Sequence, residues 1–339
     1  MSIKSLKLID LHQDLGSHIF NGRLSKPFDE PDENRHGDIP AYRKANLYIF
    51  VGAIFPMNYG DSPYSQRISS MYGERTSIFN ISPIGLTTKV YQILSIYWRL
   101  VREYPKDLNI IRTLGDISDE KVNILIGLEG TDGLDDIGMI TPLYLAGLRL
   151  VGFTWNFDTK YAASCVSTKD YGLTGYGLEL LNELNRLGII VDLAHSSRKT
   201  MLDTLEESSM PVINSHANYG KIVEHPRNVD YEVLDALRSN GGVIGFTLIR
   251  ETLGGNKDLD ALAKHILAVR DDIGKEVIAF GSDFFGCRPP NELKRIDRIE
   301  GLYQKLLDLG FTRDDIERFA WRNAYRVIRE NGLHWRLSP

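Results

Sequence analysis

The sequence predicts an α/β protein, folded as a single TIM-type (β/α)₈ barrel. Eight short apolar runs recur along the chain, rich in Val, Ile, Leu and Phe and without strict polar alternation, as parallel strands buried on both faces require. Amphipathic stretches with helical spacing lie between them. No Gly-x-Gly-x-x-Gly follows the first run, which counts against a doubly wound open sheet of the same alternating pattern.

The runs are SLKLIDLH (5–12), ANLYIFVGAIF (45–55), VNILIGLEG (122–130), GLRLVGFTW (147–155), GIIVDLAH (188–195), PVINSH (211–216), GGVIGFT (241–247) and VIAFGSD (277–283). Between the fourth and fifth, residues 174–188 repeat Leu178, Leu181, Leu184 and Leu187 at helical spacing, and Gly188 stands where a left-handed C-cap closes a helix. Residues 229–242 and 259–274 carry similar patterns. A barrel of this kind needs ~250 residues. The surplus of the 339 falls chiefly at 56–121, an enlarged connection between the second and third runs. Its first part is rich in Ser, Tyr, Gly and Asn and reads as a loop over one end of the barrel. The second, 86–105, reads as a helix with Tyr91, Leu94, Tyr97 and Trp98 on its apolar side. There is no repeat, low-complexity tract or linker, so residues 1–339 read as one domain.

Composition bounds the chemistry. With 40 Lys+Arg against 45 Asp+Glu, the net charge of −5 counts against a nucleic-acid surface. Two cysteines, Cys165 and Cys287, cannot build a cysteine-based metal site or a disulfide framework, and no chemistry is assigned to them. Any metal must be held by His, Asp and Glu. Residues 1–15 lack the apolar core of a signal peptide, and the longest charge-free apolar stretch, about Leu47 to Met57, is too short to span a membrane. A cytoplasmic protein is the expectation. His265 and the arginines Arg322, Arg326 and Arg329 read as solvated helix faces.

Polar residues that end barrel strands gather at the C-terminal mouth, where such folds build their active sites. Here they are Asp10, His12 and Asp14 after the first run, Glu129 after the third, His195 after the fifth, His216 after the sixth and Asp283 after the eighth. Strand alternation sends Asp10, His12 and Asp14 the same way and puts Asp192 opposite His195. Singly, each has a plain explanation: a hydrogen-bonded structural histidine, a helix N-cap at Asp14, a solvated Glu129. Together, three carboxylates (Asp14, Glu129, Asp283) on one mouth repel by about 4 kcal/mol per close pair at an effective dielectric near 20. Two divalent cations and a shared hydroxide balance that charge. Carboxylate oxygens mixed with imidazole nitrogens suit zinc best, iron or manganese less well.

The stretches IDLHQDLG (9–16), GLEG (127–130), GLTGYGLELLNELNRLGIIVDLAHSS (172–197), PVINSH (211–216), RNV (227–229), GSDFFG (281–286) and WRNAYRV (321–327) make the chain resemble the membrane dipeptidase (renal dipeptidase) family of binuclear zinc metallopeptidases. The resemblance covers most of the chain, from Asp10 to about Val327. It implies that His12, Asp14 and Glu129 hold one zinc ion and Glu129, His195 and His216 the other, with Glu129 bridging. It also implies that Arg227 pairs with the substrate's C-terminal carboxylate and that Asp283 serves the amino end or the proton traffic. Asp10 is expected to orient a ligand. Many members carry a substrate-contacting His within Leu-Thr-His-Asn after the fourth strand. Here the matching stretch is Phe153-Thr154-Trp155-Asn156, so Trp155 and Asn156 take the substrate-facing positions, and Thr159 replaces a later family Asn. An indole has one donor and no acceptor, so Trp155 bears on substrate range rather than metal binding.

The activity implied is hydrolysis of small dipeptides, including those with a D-residue at the C-terminal end, by a hydroxide bridging two zinc ions. Another small amide (an N-acyl amino acid or a β-lactam) is the alternative within enzymes, and a metal-free, non-catalytic paralogue the alternative outside them. Homodimers are common in the family, and nothing in the sequence sets that independently.

Overall fold

The computed structural model describes residues 6–22, 24–56, 71 and 85–338. The expected loop at the start of the 56–121 connection therefore lies largely outside the described residues. The eight runs supply the eight barrel strands in order: β1 (Leu8–Gln13), β2 (Leu47–Ile54), β4 (Val122–Leu128), β5 (Leu148–Gly152), β6 (Ile190–Asp192), β7 (Ile213–Ala217), β8 (Val243–Phe246) and β9 (Ile278–Phe280). All pair in parallel along β1-β2-β4-β5-β6-β7-β8-β9. Their residues are buried throughout, which is why the runs carry no polar alternation. A short strand, β3 (Leu108–Ile110), lies inside the enlarged connection and pairs with Val122–Ile124 of β4. Three residues among polar neighbours give too little periodicity to be read from sequence.

The barrel is nearly closed by its first and last strands. Gln13 bridges Phe284, the Asp283 amide donates to the His12 carbonyl (3.1 Å) and the Asp14 amide to the Phe284 carbonyl (2.9 Å). Asp10, wholly buried, ties this seam from within. Its carboxylate accepts from the Ser282 amide (2.8 Å) and hydroxyl (2.6 Å) and from Gln13 Nε2 (2.8 Å). Asp10 also accepts from the His12 amide at 3.3 Å, so it positions His12 through the backbone.

The helix Gly175–Leu187 is capped as expected, by the Thr174 side chain on the Gly177 amide and by Gly188 at φ 67°. Its buried face is Leu180, Leu181, Leu184 and Leu187; Leu178 is exposed instead, about 130° round the axis from the middle of that face. In the helix Leu86–Glu103, Val90, Ile93, Leu94, Tyr97 and Leu100 face the barrel, whereas Tyr91 and Trp98 lie outside this stripe, 41% and 39% exposed. Aromatic size suggested those two; the 3.6-residue period decides against them. The Trp98 indole instead donates to the Ala146 carbonyl (2.8 Å). His265, expected in solvent, is fully buried, its Nδ1 accepting from the Tyr219 amide at 3.0 Å. Among the described residues no helix is long and apolar enough to cross a membrane.

Gly188 also has no room for a side chain: a Cβ there would sit 2.6 Å from the Asn331 carbonyl oxygen and 2.7 Å from His334 Cβ. Gly188→Ala therefore combines left-handed strain with a backbone clash, and a loss of about 1–3 kcal/mol in unfolding free energy is expected from urea titration.

Candidate metal centre

At the C-terminal mouth the side chains of His12, Asp14, Glu129, His195, His216 and Asp283 converge, all buried. Glu129 stands between two clusters. Its Oε1 lies 3.0 Å from His195 Nε2 and 3.5 Å from His216 Nε2, and its Oε2 lies 3.6 Å from His12 Nε2. His12 Nε2 is also 3.5 Å from Asp14 Oδ2 and 3.8 Å from Asp283 Oδ1. Three ligand sets result: His12–Asp14–Glu129, Glu129–His195–His216 and His12–His216–Asp283. The first two are the sets expected from the sequence.

Local backbone explains how each side chain is aimed. Asp14 precedes the helix Leu15–Phe20 but makes no side-chain cap, which leaves its carboxylate for the centre. Gly130 follows Glu129 at φ 81°, and a Cβ there would meet the Trp155 amide at 2.9 Å. His195 (φ 64°), Asp283 (φ 61°) and Phe285 (φ 69°) are three of five non-glycine residues with positive φ among the described residues. Backbone strain is thus concentrated at this mouth. It is held by hydrogen bonds: the His195 carbonyl accepts from the Cys165 amide (2.7 Å) and the Thr154 hydroxyl (3.1 Å), and His36 Nδ1 accepts from the Phe285 amide (2.6 Å). Gly286 packs directly on the acidic pair: a Cβ would collide with Asp14 Oδ2 and lie 2.6 Å from Asp283 Oδ1.

The electrostatics are those of a cation site. Burial opposes charge on His12, yet the carboxylates of Glu129, Asp14 and Asp283 push it up to about 10. Glu129 is pushed up to about 8 by burial, with Asp14 adding to the rise, and burial and Asp14 likewise hold Asp283 well above the usual carboxylate range. His195 and His216 go the other way: burial first, with Arg227 and His12 nearby, drives both well below the ordinary histidine value, so they are neutral imidazoles. Among the described residues, His12 Nε2 and Asp14 Oδ1 are buried without a hydrogen-bond partner. Orphaned donor atoms, a negative surplus and a mixed carboxylate–imidazole set fit divalent metal ions, with zinc foremost.

Arg227 is buried, with Nη2 donating to the His216 carbonyl at 2.9 Å. Trp155 packs on the metal-side histidine, its ring centroid 5.5 Å from that of His195 and 5.3 Å from that of Phe55. Asn156, expected to face substrate, is wholly buried behind His195, its Oδ1 2.7 Å from Nδ1. Its place in the sequence beside Trp155 suggested the mouth, but beyond the end of β5 the chain bends and the amide packs behind the His195 ring, where it bonds a candidate ligand. Cys165 reaches the same Asn156 oxygen, its thiol donating at 3.4 Å. Asp192 also joins the site: it accepts from the Ser215 hydroxyl (2.5 Å), which contacts His216 Nδ1 (2.7 Å). Strict alternation misplaced it because β6 ends at Asp192 and the chain turns before His195. An acid three residues before a ligand histidine was the available signal.

The family model described as membrane dipeptidase (Peptidase family M19) matches residues 3–335. The chain belongs to that family. Dipeptidase verJ of Clonostachys rogersoniana is 33% identical over 246 residues, 70% of this chain and 63% of that protein. Dipeptidase 3 of Rattus norvegicus is 30% identical over 242 residues, 68% of this chain and 50% of that protein. The chain thus spans from half to less than two thirds of the length of these curated relatives. A metallo peptidase from Rhodobacter sphaeroides, solved with a phosphinate mimic of the dipeptide L-Ala-D-Ala, superposes with a TM-score of 0.81 at 19% identity, over 96% of this chain and 99% of that one. At that identity the likeness is one of fold, and it agrees with the barrel. The M19 assignment and the ligand groups at the mouth point to the same class of site by independent routes.

Because His12 holds a proton up to about 10, a metal ion must displace it. Glu129, pushed up to about 8, adds a second proton below that pH, so zinc uptake is expected to release protons and to tighten with rising pH, by more than about tenfold per unit below pH 8. Calorimetric titration in two buffers of different ionisation enthalpy measures this, and proton-independent uptake contradicts it.

Proposed function

We propose that this chain is a metal-dependent dipeptidase, and the observation that carries the reading is Glu129 set between two ligand clusters, with the buried Arg227 nearby. His12, Asp14 and Glu129 would hold one divalent ion and Glu129, His195 and His216 the other, both zinc by the donor set. Two such ions, when bound, supply a hydroxide nucleophile near neutral pH and polarise the scissile carbonyl.

The chain's own residues do the rest. Arg227, whose Nη2 donates to the His216 carbonyl, is a buried guanidinium of the kind that pairs with a carboxylate, and in a dipeptide the free C-terminal carboxylate lies one residue from the single peptide bond. Asp283, whose affinity for a proton is raised by burial and by Asp14, can take a proton at its carboxylate from the nucleophile and return it to the leaving amine. Trp155 borders His195 with an indole, which can donate once and cannot accept, so it shapes the substrate side of the centre without supplying a metal ligand. The Rhodobacter sphaeroides structure carries a mimic of an L,D-dipeptide. That supports including substrates with a D-residue at the C-terminal end.

Zinc-loaded protein is expected to hydrolyse L,L- and L,D-dipeptides in preference to N-acyl amino acids and β-lactams; a reversed order would move the reading to another small amide. Glu129→Gln and His216→Ala are each expected to lower kcat/KM by about 10³-fold or more at unchanged circular dichroism. Full activity in either variant would end the two-metal reading. Trp155→His is expected to change the ratio of kcat/KM between substrates by about tenfold while leaving kcat on the best one within about threefold. A uniform fall across the panel would instead make Trp155 a support for His195.

A further inference from the structure

We infer that Asp192 is a positioning residue for the metal centre: through the Ser215 hydroxyl it fixes which ring nitrogen of His216 carries the proton. The inference rests on the metal-centre reading above. Asp192 ends β6, is almost wholly buried, and reaches His216 through a single hydroxyl. Its Oδ1 accepts from the amides of Ala194 (3.0 Å) and Ser215 (2.8 Å), and its Oδ2 accepts from Ser215 Oγ (2.5 Å).

The direction of this chain follows from proton counting. An ionised carboxylate only accepts, and a hydroxyl has one proton to give. Ser215 gives it to Asp192, so at its other contact, His216 Nδ1 at 2.7 Å, it can only accept. His216 must therefore carry its proton on Nδ1. Nε2 is left as a bare lone pair, 3.0 Å from His195 Nε2 and 3.5 Å from Glu129 Oε1, where a metal ligand is needed. His195 reaches the same state by another route, through the acceptor Asn156 Oδ1 on its Nδ1.

A purely structural role is the competing explanation. β6 and β7 share one register pair, Asp192 with Ile213, and the Asp192 side chain clips the two strands through the Ser215 amide. Asp192→Asn separates the two roles. Its carbonyl can keep both backbone amides, preserving the clip. Its amide nitrogen must donate to Ser215 Oγ, which turns the hydroxyl round to donate to His216 Nδ1 and drives the proton to Nε2. Volume is conserved and polarity is inverted. Ser215→Ala cuts the chain without inverting it and leaves the two backbone contacts of Asp192 in place.

The test uses the full chain and zinc alone, with imidazole ¹⁵N shifts of the metal-free protein and chelator competition followed by elemental analysis. Wild type is expected to show His216 protonated at Nδ1. D192N is expected to move that proton to Nε2 and to weaken one of two zinc equivalents about 10–100-fold, with S215A weakening it less. The double variant D192N/S215A is expected to bind like S215A, better than D192N alone, because no inverted hydroxyl remains. Unchanged zinc binding in D192N, weakened binding with Nδ1 still protonated, or a double variant that sums the two losses would each overturn the inference. Should D192N fail to fold, S215A must still lose the Nδ1 preference, and its retention overturns the inference. Absence of zinc binding in the wild type is a different failure: it removes the metal-centre reading, while the ¹⁵N shifts still report the direction of the chain.

Discussion

The constraint on which the rest depends is the burial of the Glu129 carboxylate between two clusters of ligand atoms. Its oxygens face different partners, Oε1 toward His195 and His216 and Oε2 toward His12. A carboxylate in that position, with those of Asp14 and Asp283 beside it, is a poor thing to bury, and each close pair of like charges costs about 4 kcal/mol at an effective dielectric near 20. The protein answers with a proton held on His12, with the nearby Arg227 guanidinium, and with the raised proton affinity of Glu129 and Asp283 themselves. Much of the surrounding structure keeps this unfavourable group in place: the φ 81° of Gly130 directly after it, the bare backbone of Gly286 against the acidic pair, and the hydrogen-bonded left-handed turns at His195 and Asp283. Strain and charge are gathered at the same end of the barrel, the expected signature of a site that binds rather than merely folds.

Closing the barrel and building the site are one event. The seam between β1 and the end of β9 carries His12 and Asp14 on one side and Asp283 on the other, joined by backbone hydrogen bonds of 2.9 and 3.1 Å and by Asp10 on Ser282. Residues some 270 positions apart in sequence become neighbours only when the last strand docks. The contacts of His12 and Asp14 with Asp283 therefore depend on the last strand, whereas His195, just after β6, and His216, on β7, come from neighbouring strands.

What the sequence disclosed and what it hid divide along a physical line. Strands buried on both faces announce themselves by composition, and ligands at strand ends by residue type, so the barrel and the converging ligands were legible. Orientation was less so. Tyr91, Trp98 and Leu178 fit the three- and four-residue spacing of their helices, yet they lie beyond the edge of the buried stripe. Asn156 was put in the mouth, and its amide serves behind His195. Asp192, Ser215 and Cys165 were silent because a hydrogen bond to the far nitrogen of a ligand has no spacing rule. Such partners come from whichever loop or strand packs behind the ring, and in sequence they look like ordinary polar residues.

The two halves of the centre are built on opposite electrostatic terms. His195 and His216 are kept neutral by burial and aimed by acceptors on their Nδ1 atoms, so their lone pairs are presented without a competing proton. His12 lies among carboxylates that raise its proton affinity, so the same negative charge that attracts a cation there also retains the proton that the cation must remove. Trp155 leaves this division untouched. Its ring rests on His195 without offering a ligand atom, so an indole in place of an imidazole leaves the set of donor atoms as it is. On the function proposed above, substrate range and metal binding would be carried by neighbouring residues, as in a barrel whose chemistry is set at strand ends and whose selectivity is set in the loops.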